Sequence, residues 1–188
     1  MQHPVAITVE GANILTRSLI IYGQGAIRCH PYVLKEIEAT RESDPAKASA
    51  AFDEALFGHV GFVVSNLARA LVTGLTGSLF VRVPDGVAPG MRRYYQQLTR
   101  FSAALAFLAD VSMGTLGGAL KRKEKLSARM GDILSLMYLS SAVLKRYEAE
   151  GRQQADAPLM HWAIWDSMFK AQNAFEGVVS NFPSRFVS

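Results

Sequence analysis

Apolar residues recur along most of this chain at helical spacing. From Pro45 onward, Phe52, Leu56, Val60, Val63, Leu67 and Leu71 follow one another at intervals of four and three, which puts them on one face of a long helix. Tyr94, Leu98, Phe101, Leu105 and Leu108 restart that period and carry it toward Leu116. Met130, Ile133, Met137 and Leu144 mark a further helix from about Leu126 to Glu150, stopped at Gly151. A last helix follows an Asp156 cap with Pro158 in its first turn, and Trp162, Trp165, Phe169 and Phe175 are expected on its inner face. Gly74 to Pro89 reads as a loop, with Leu79-Phe80-Val81 briefly extended. Gly114, Gly117 and Gly118 weaken helix propensity, and either end the second long helix or admit a close neighbour.

The region before Pro45 is more broken. Asn13 to about Gly23 predicts a short apolar helix, with Gly23 and Gly25 supplying a break. Pro31 to about Arg41 predicts a second, with Val33, Leu34 and Ile37 on its apolar side. Glu42-Ser43-Asp44-Pro45 then reads as a linker ending in an Asp N-cap with Pro at the first helical position. The boundary is therefore drawn between residues 1–43 and 44–188. Four long amphipathic helices with short connections predict an all-α, antiparallel helical bundle after it.

Composition narrows the class. At 188 residues, with 49% apolar and 19% charged, the chain is globular rather than disordered. A net charge of +4 is too small by itself to argue for nucleic acid, but suits an anionic membrane surface or a phosphate-bearing ligand. The basic residues lack interleaved aromatics and no DNA-binding helix pair is apparent, so no nucleic-acid partner is expected. One Cys, Cys29, excludes an internal disulfide and fits a reducing compartment. No signal peptide is evident, because Met1 leads straight into Gln-His-Pro. The twenty residues Phe101 to Leu120, with Asp110 as their one charge, are long enough to span a bilayer. Asp110 near the midplane would cost about 2.5–3.5 kcal/mol, so a buried bundle helix is the expectation.

Candidate chemistry starts at Glu10. It is the one charge between Met1 and Arg17, and the Gly and Asn that follow suggest a helix ending with the carboxylate turned toward something. Desolvated there, it would be a proton acceptor rather than a permanent anion; on residue chemistry alone it could equally be a surface Glu at a turn. Cys29-His30 with scattered His3, His59 and His161 shows no metal-ligand spacing, and no metal is expected. Gly23-x-Gly25 lacks a preceding strand and a third Gly, so it is no dinucleotide loop. His59 shares a face with Leu56 and Val63 and reads as a hydrogen-bonded core or groove histidine. Asp110, if buried, needs a partner, for which Arg122 or Arg129 is expected. Trp162 and Trp165 are expected in the core.

Glu10-Gly11-Ala12-Asn13, with Arg17 seven positions after the Glu, resembles the Glu-Gly-Thr-Asn segment of acyl-CoA dehydrogenases. The run Ile20 to Tyr32 makes the chain similar to bacterial long-chain acyl-CoA dehydrogenases of fatty-acid β-oxidation. So do Lys121-Arg122-Lys123-Glu124, Ser127 to Leu134, Val143-Leu144-Lys145-Arg146-Tyr147 and Asn181-Phe182-Pro183, which spread the resemblance over nearly the whole chain. The resemblance implies that residues 1–43 are the last short helices of the catalytic helical domain and 44–188 a helical extension. It implies that Glu10 removes the α-proton of a fatty acyl-CoA while the β-hydride passes to FAD, giving a trans-2-enoyl-CoA. Gly11 would let the backbone approach the substrate.

Two positions depart from the family pattern. Ala12 stands where many relatives have a flavin-contacting Thr, and Ile14 replaces a polar flavin neighbour, so flavin binding is not carried over to either. Asn13 is read as a cap for the following helix. The resemblance places most of the flavin and substrate site ahead of Met1, so this chain alone is expected to be inactive and without FAD. An electron acceptor for the reduced flavin is further implied; a homodimer is one option, and the sequence does not fix the oligomeric state. Lys121, Arg122, Lys123, Lys125 and Arg129 form the dense basic cluster, a solvated helix start or a contact for anionic lipid headgroups at about 1 kcal/mol per residue. Related long-chain enzymes with helical extensions are peripheral membrane proteins, so the expected location is the cytoplasm, with peripheral contact at the inner face of the cell membrane. The competing reading is a non-catalytic helical module for dimerisation, membrane docking or partner binding, with Glu10 idle.

Overall fold

The computed structural model describes residues 4–183, and among these no strand forms. Helix α1 (Pro4–Leu15) runs without a break through a π-helical segment, Thr16–Gln24, into α2 (Gly25–Cys29). Neither the helix ending expected after Glu10 nor the break expected at Gly23 and Gly25 occurs. Both expectations rested on low glycine propensity, which tertiary packing readily overrides. The π-helical segment lies against α6, where Gly131 admits it: a Cβ on Gly131 would stand 2.7 Å from the carbonyl oxygen of Arg17. Tyr22 from that segment is buried in the main core.

Helix α3 (Val33–Ala39) is shorter than expected, and α4 (Pro45–Leu75) starts at the predicted place. Asp44 accepts a hydrogen bond from the Ala46 N–H at 3.0 Å, with Pro45 in the first turn, so cap and proline act as their positions suggest. A 3-10 turn, Pro89–Met91, leads into α5 (Arg92–Leu116), which ends at Gly117 with φ +48°. That conformation favours glycine, and it settles Gly117 as the terminator. Gly114 stays helical, with open space where a Cβ would be. A second 3-10 run, Gly117–Arg122, precedes α6 (Glu124–Ala149). Gly151, at φ +81°, turns the chain toward α7 (Ala157–Val179). Asp156 precedes α7 but makes no side-chain cap hydrogen bond, and Leu79–Val81 lies in a turn and irregular coil rather than a strand.

Helix α6 is the centre of the bundle. It packs most extensively on α7, and also on α5 and the π-helical segment, while α4 pairs with α5 and α3. Short connections make the sequential pairs antiparallel. One core cluster joins Tyr22, Leu108, Leu126, Met130, Ile133 and Val178; a second joins Met91, Tyr94, Leu144, Met160 and Ile164.

Two apolar faces are not where periodicity put them. The α7 residues that seal against the bundle are Met160, Ile164, Ala171 and Val178, whereas Trp162, Trp165 and Phe169 stand 64–67% exposed. Close approach of α6 and α7 selects smaller side chains at the seam and leaves the bulky aromatics outside. On α4 only Ala55, Asn66 and Thr73 are buried, while Phe57, Val60, Val64, Leu71 and Leu75 are exposed. Pattern identifies an apolar face without saying what covers it. Two stretches, Pro45–Leu75 and Pro89–Arg122, are apolar and long enough to cross a membrane, a test of length and composition only.

Candidate functional site

Glu10 lies in mid-helix on α1 and is exposed, as are its neighbours Val9, Gly11, Ala12 and Ile14. A Cβ on Gly11 would meet nothing within 4 Å. Among the described residues the Glu10 face is therefore an open surface, with exposed Val9, Ala12 and Ile14 nearby in the helix. Asn13 is likewise exposed and inside α1 rather than at a helix start, so the capping role expected for it is not realised.

The polar groups that the fold does converge lie where α3, α4 and α5 meet. His30, on the turn after α2, points inward while its neighbour Cys29 is exposed and free. The backbone N–H groups of Tyr32 and Val33 both donate to His30 Nδ1, at 3.2 and 3.1 Å. That leaves its proton on Nε2, which donates to Asp110 Oδ1 at 2.8 Å. Asp110 therefore pairs with His30, not with Arg122 or Arg129; its side chain is 3% exposed, on the bundle-facing side of α5. Helix register decides this, since Arg122 and Arg129 follow the turn at Gly117 while His30 and His59 arrive from other elements.

His59 completes the group. Its Nδ1–H donates to Glu36 Oε1 at 2.7 Å, and its Nε2 faces Asp110 Oδ1 at 3.6 Å, too far for a direct bond. The expectation of a hydrogen-bonded groove histidine thus holds, with α3 supplying the partner. Tyr32 stacks on His59 with 9° between the rings, and Phe62 meets His30 edge-on. Burial pushes the His30 pKa below its usual 6.5, against the opposing pull of Asp110. Burial likewise holds the Tyr22 phenol well above its ordinary range. In this region Asp110 Oδ2 is buried without a hydrogen-bond partner among the described residues.

Ligand atoms of His30, His59 and Asp110 lie within 4.8 Å of one another, a spacing that suits a metal ion. The hydrogen bonds argue otherwise for His30: with two N–H groups aimed at Nδ1, its Nε2 is a donor and has no lone pair to give. His30, His59 and Asp110 lie far apart in sequence, and those separations hide the cluster. The available signal was that each is a titratable residue set among apolar neighbours.

Of the basic cluster, Lys121, Arg122, Lys123 and Lys125 are exposed around the turn into α6. Arg129 is set apart from them, half-buried against Gly177 of α7. His161 is held separately, with Nδ1 2.6 Å from the Tyr94 hydroxyl, and His3 lies outside the described residues.

Comparison with known proteins bears on what this fold belongs to. A family model described as acyl-CoA dehydrogenase, C-terminal, bacterial type, matches residues 27–188. The match takes in α3 to α7 and the His30 cluster and begins after Glu10. No solved structure matches the chain.

Proposed function

The chain belongs to the bacterial-type acyl-CoA dehydrogenase C-terminal family, and from that membership we propose that it is part of a flavin-dependent enzyme oxidising fatty acyl-CoA to trans-2-enoyl-CoA. The carrying observation is the family match over residues 27–188, immediately preceded by a helix that displays Glu10. In this reading Glu10 takes the α-proton of the thioester, and Gly11 leaves room for the substrate beside it. An exposed carboxylate is a weak base; it becomes an effective one when a second surface closes over it and removes water. The open, apolar surroundings of Glu10 suit such a closure.

A flavin would supply the acceptor for the β-hydride. The Glu10 face does not fit a flavin by itself, because Ala12 and Ile14 are exposed and carry no side-chain hydrogen-bond donor. Flavin binding is therefore not assigned to this chain, and we read the chain alone as inactive. The exposed, free Cys29 is consistent with a reducing, cytoplasmic setting.

Replacing Glu10 by Gln in the dehydrogenase of which the chain is part tests the proposal. The expected result is a loss of about 10²–10⁴-fold or more in dehydrogenation, the usual size of general-base catalysis, with the helical circular dichroism unchanged. An unaltered rate would remove Glu10 from the chemistry.

A second role is favoured by one observation, the uncovered apolar face of α4. We read residues 44–188 as also serving assembly, with the Leu71 and Leu75 end of that face packing on another copy of the chain; sedimentation velocity reads this out.

A further inference from the structure

The groove between α3, α4 and α5 has about 500 Å³ of space. Its walls are apolar, including Leu56, Val60, Val63, Val64, Val111 and Met113. Its polar groups are Glu36, His59 and Asp110, and no Lys or Arg lines it among the described residues.

The hydrogen bonds already described leave two acceptors free at that place. Glu36 takes the Nδ1–H of His59, so in the neutral imidazole Nε2 carries a lone pair. His30 donates to one oxygen of Asp110, and the other, Oδ2, is buried without a partner. The free Nε2 and the Asp110 carboxylate face each other at 3.6 Å from Oδ1, two acceptors with no proton between them. Each is also oriented from behind, by Glu36 and by His30 respectively. Asp110 is 3% exposed at its side chain, and no Lys or Arg among the described groove residues faces it.

We propose that this groove binds a primary alkylammonium group, its N–H bonds reaching His59 Nε2 and the Asp110 carboxylate and its hydrocarbon body lying along the valine wall. The ammonium supplies a positive charge and N–H donors in the gap between His59 Nε2 and the Asp110 carboxylate. The groove walls match an aliphatic body, and with His30 Nε2 donating to Asp110 and Glu36 held by the His59 Nδ1–H, the cluster is committed to hydrogen bonds rather than to a metal. The site is distinct from Glu10 and does not rest on the chemistry proposed for that residue.

Isothermal titration of the full chain with n-hexylammonium, n-hexanol and hexanoate at pH 8 tests this, with Zn²⁺ alone as a fourth titrant. Saturable binding of n-hexylammonium is expected, at least about tenfold tighter than n-hexanol, as follows from a charge-assisted hydrogen bond. Hexanoate is expected not to bind. Asp110→Asn should weaken the ammonium by about tenfold or more. Because Asp110 is buried and that variant could unfold, Val60→Trp serves as a second: Val60 is 53% exposed at the groove wall. It fills the space while leaving Glu36, His59 and Asp110 in place, and should abolish binding with an unchanged melting curve. Equal binding of alcohol and ammonium, no binding of either, retained binding in a folded Val60→Trp, or Zn²⁺ displacing the ammonium at equimolar level would each overturn the assignment.

Discussion

Gly131→Ala is the substitution whose outcome the packing fixes most sharply. Gly131 is buried in α6, and a methyl there would stand 2.7 Å from the Arg17 carbonyl oxygen and 3.6 Å from its carbon. Inside an exposed helix the same change gains about 1 kcal/mol, because alanine restricts the unfolded chain. Here the obstructing atom is backbone, part of a π-helical segment that itself packs on α6, so relief requires a helix to move. Overpacking of that kind costs about 1–3 kcal/mol. The net effect is a destabilisation of about 0–2 kcal/mol, once the helix gain is subtracted.

Two other glycines serve as internal standards. Gly61, in α4, has nothing within 4 Å of an added methyl, so Gly61→Ala keeps the full gain of about 0.5–1 kcal/mol. Gly177, in α7, has Arg129 Nε 2.9 Å away, a flexible side chain that can swing aside, so Gly177→Ala falls between the two. Urea unfolding followed by circular dichroism, with coincident probes establishing two-state behaviour, should order them Gly61→Ala, Gly177→Ala, Gly131→Ala from most to least stable. The gap between the extremes should be about 1–3 kcal/mol. A Gly131→Ala protein as stable as Gly61→Ala would show that the π-helical segment does not press on α6, and the placement of α1 and Glu10 would lose its support.

Two further outcomes follow. The His30 pKa lies below 6.5 in the folded chain, so between that lowered value and 6.5 the unfolded chain binds more protons, and stability falls as pH drops through this window. The groups facing His30 are Asp110, His59 and Glu36, from α5, α4 and α3. Urea midpoints should decline as pH falls below about 6.5, and His30→Gln should flatten that decline; an equal slope in both proteins would place the dependence elsewhere. On α4, Leu71 is 55% exposed, so Leu71→Glu should leave the melting curve within about 0.5 kcal/mol of the parent while lowering the sedimentation coefficient of any self-associated species. A large loss of stability without a change in association would mean that the face is covered from within.

Helix positions and helix class were legible in local chemistry. Asp44-Pro45 starts α4 because a carboxylate cap and a missing N–H suit a helix N-terminus, and Gly151 stops the run after α6 because its φ of +81° is open to glycine. The motifs from Ile20 to Pro183 were also enough for the family, since they reside in the residue types themselves. Burial was another matter. An apolar stripe has a direction only relative to a neighbour, so the sequence could not say that Trp162, Trp165 and Phe169 face outward on α7 while Ile164 and Val178 face α6. Nor could glycine propensity foretell that α1 continues through Gly11 and Gly23, because the packing of the Arg17 segment on Gly131 outweighs it. The His30, Glu36, His59 and Asp110 cluster depended on tertiary structure altogether: its members span 80 residues of sequence, and only the docking of α3, α4 and α5 brings their ring nitrogens and carboxylates within bonding reach. Local propensity acts over a few residues, whereas a buried polar cluster is made by contacts between segments that local propensity does not connect.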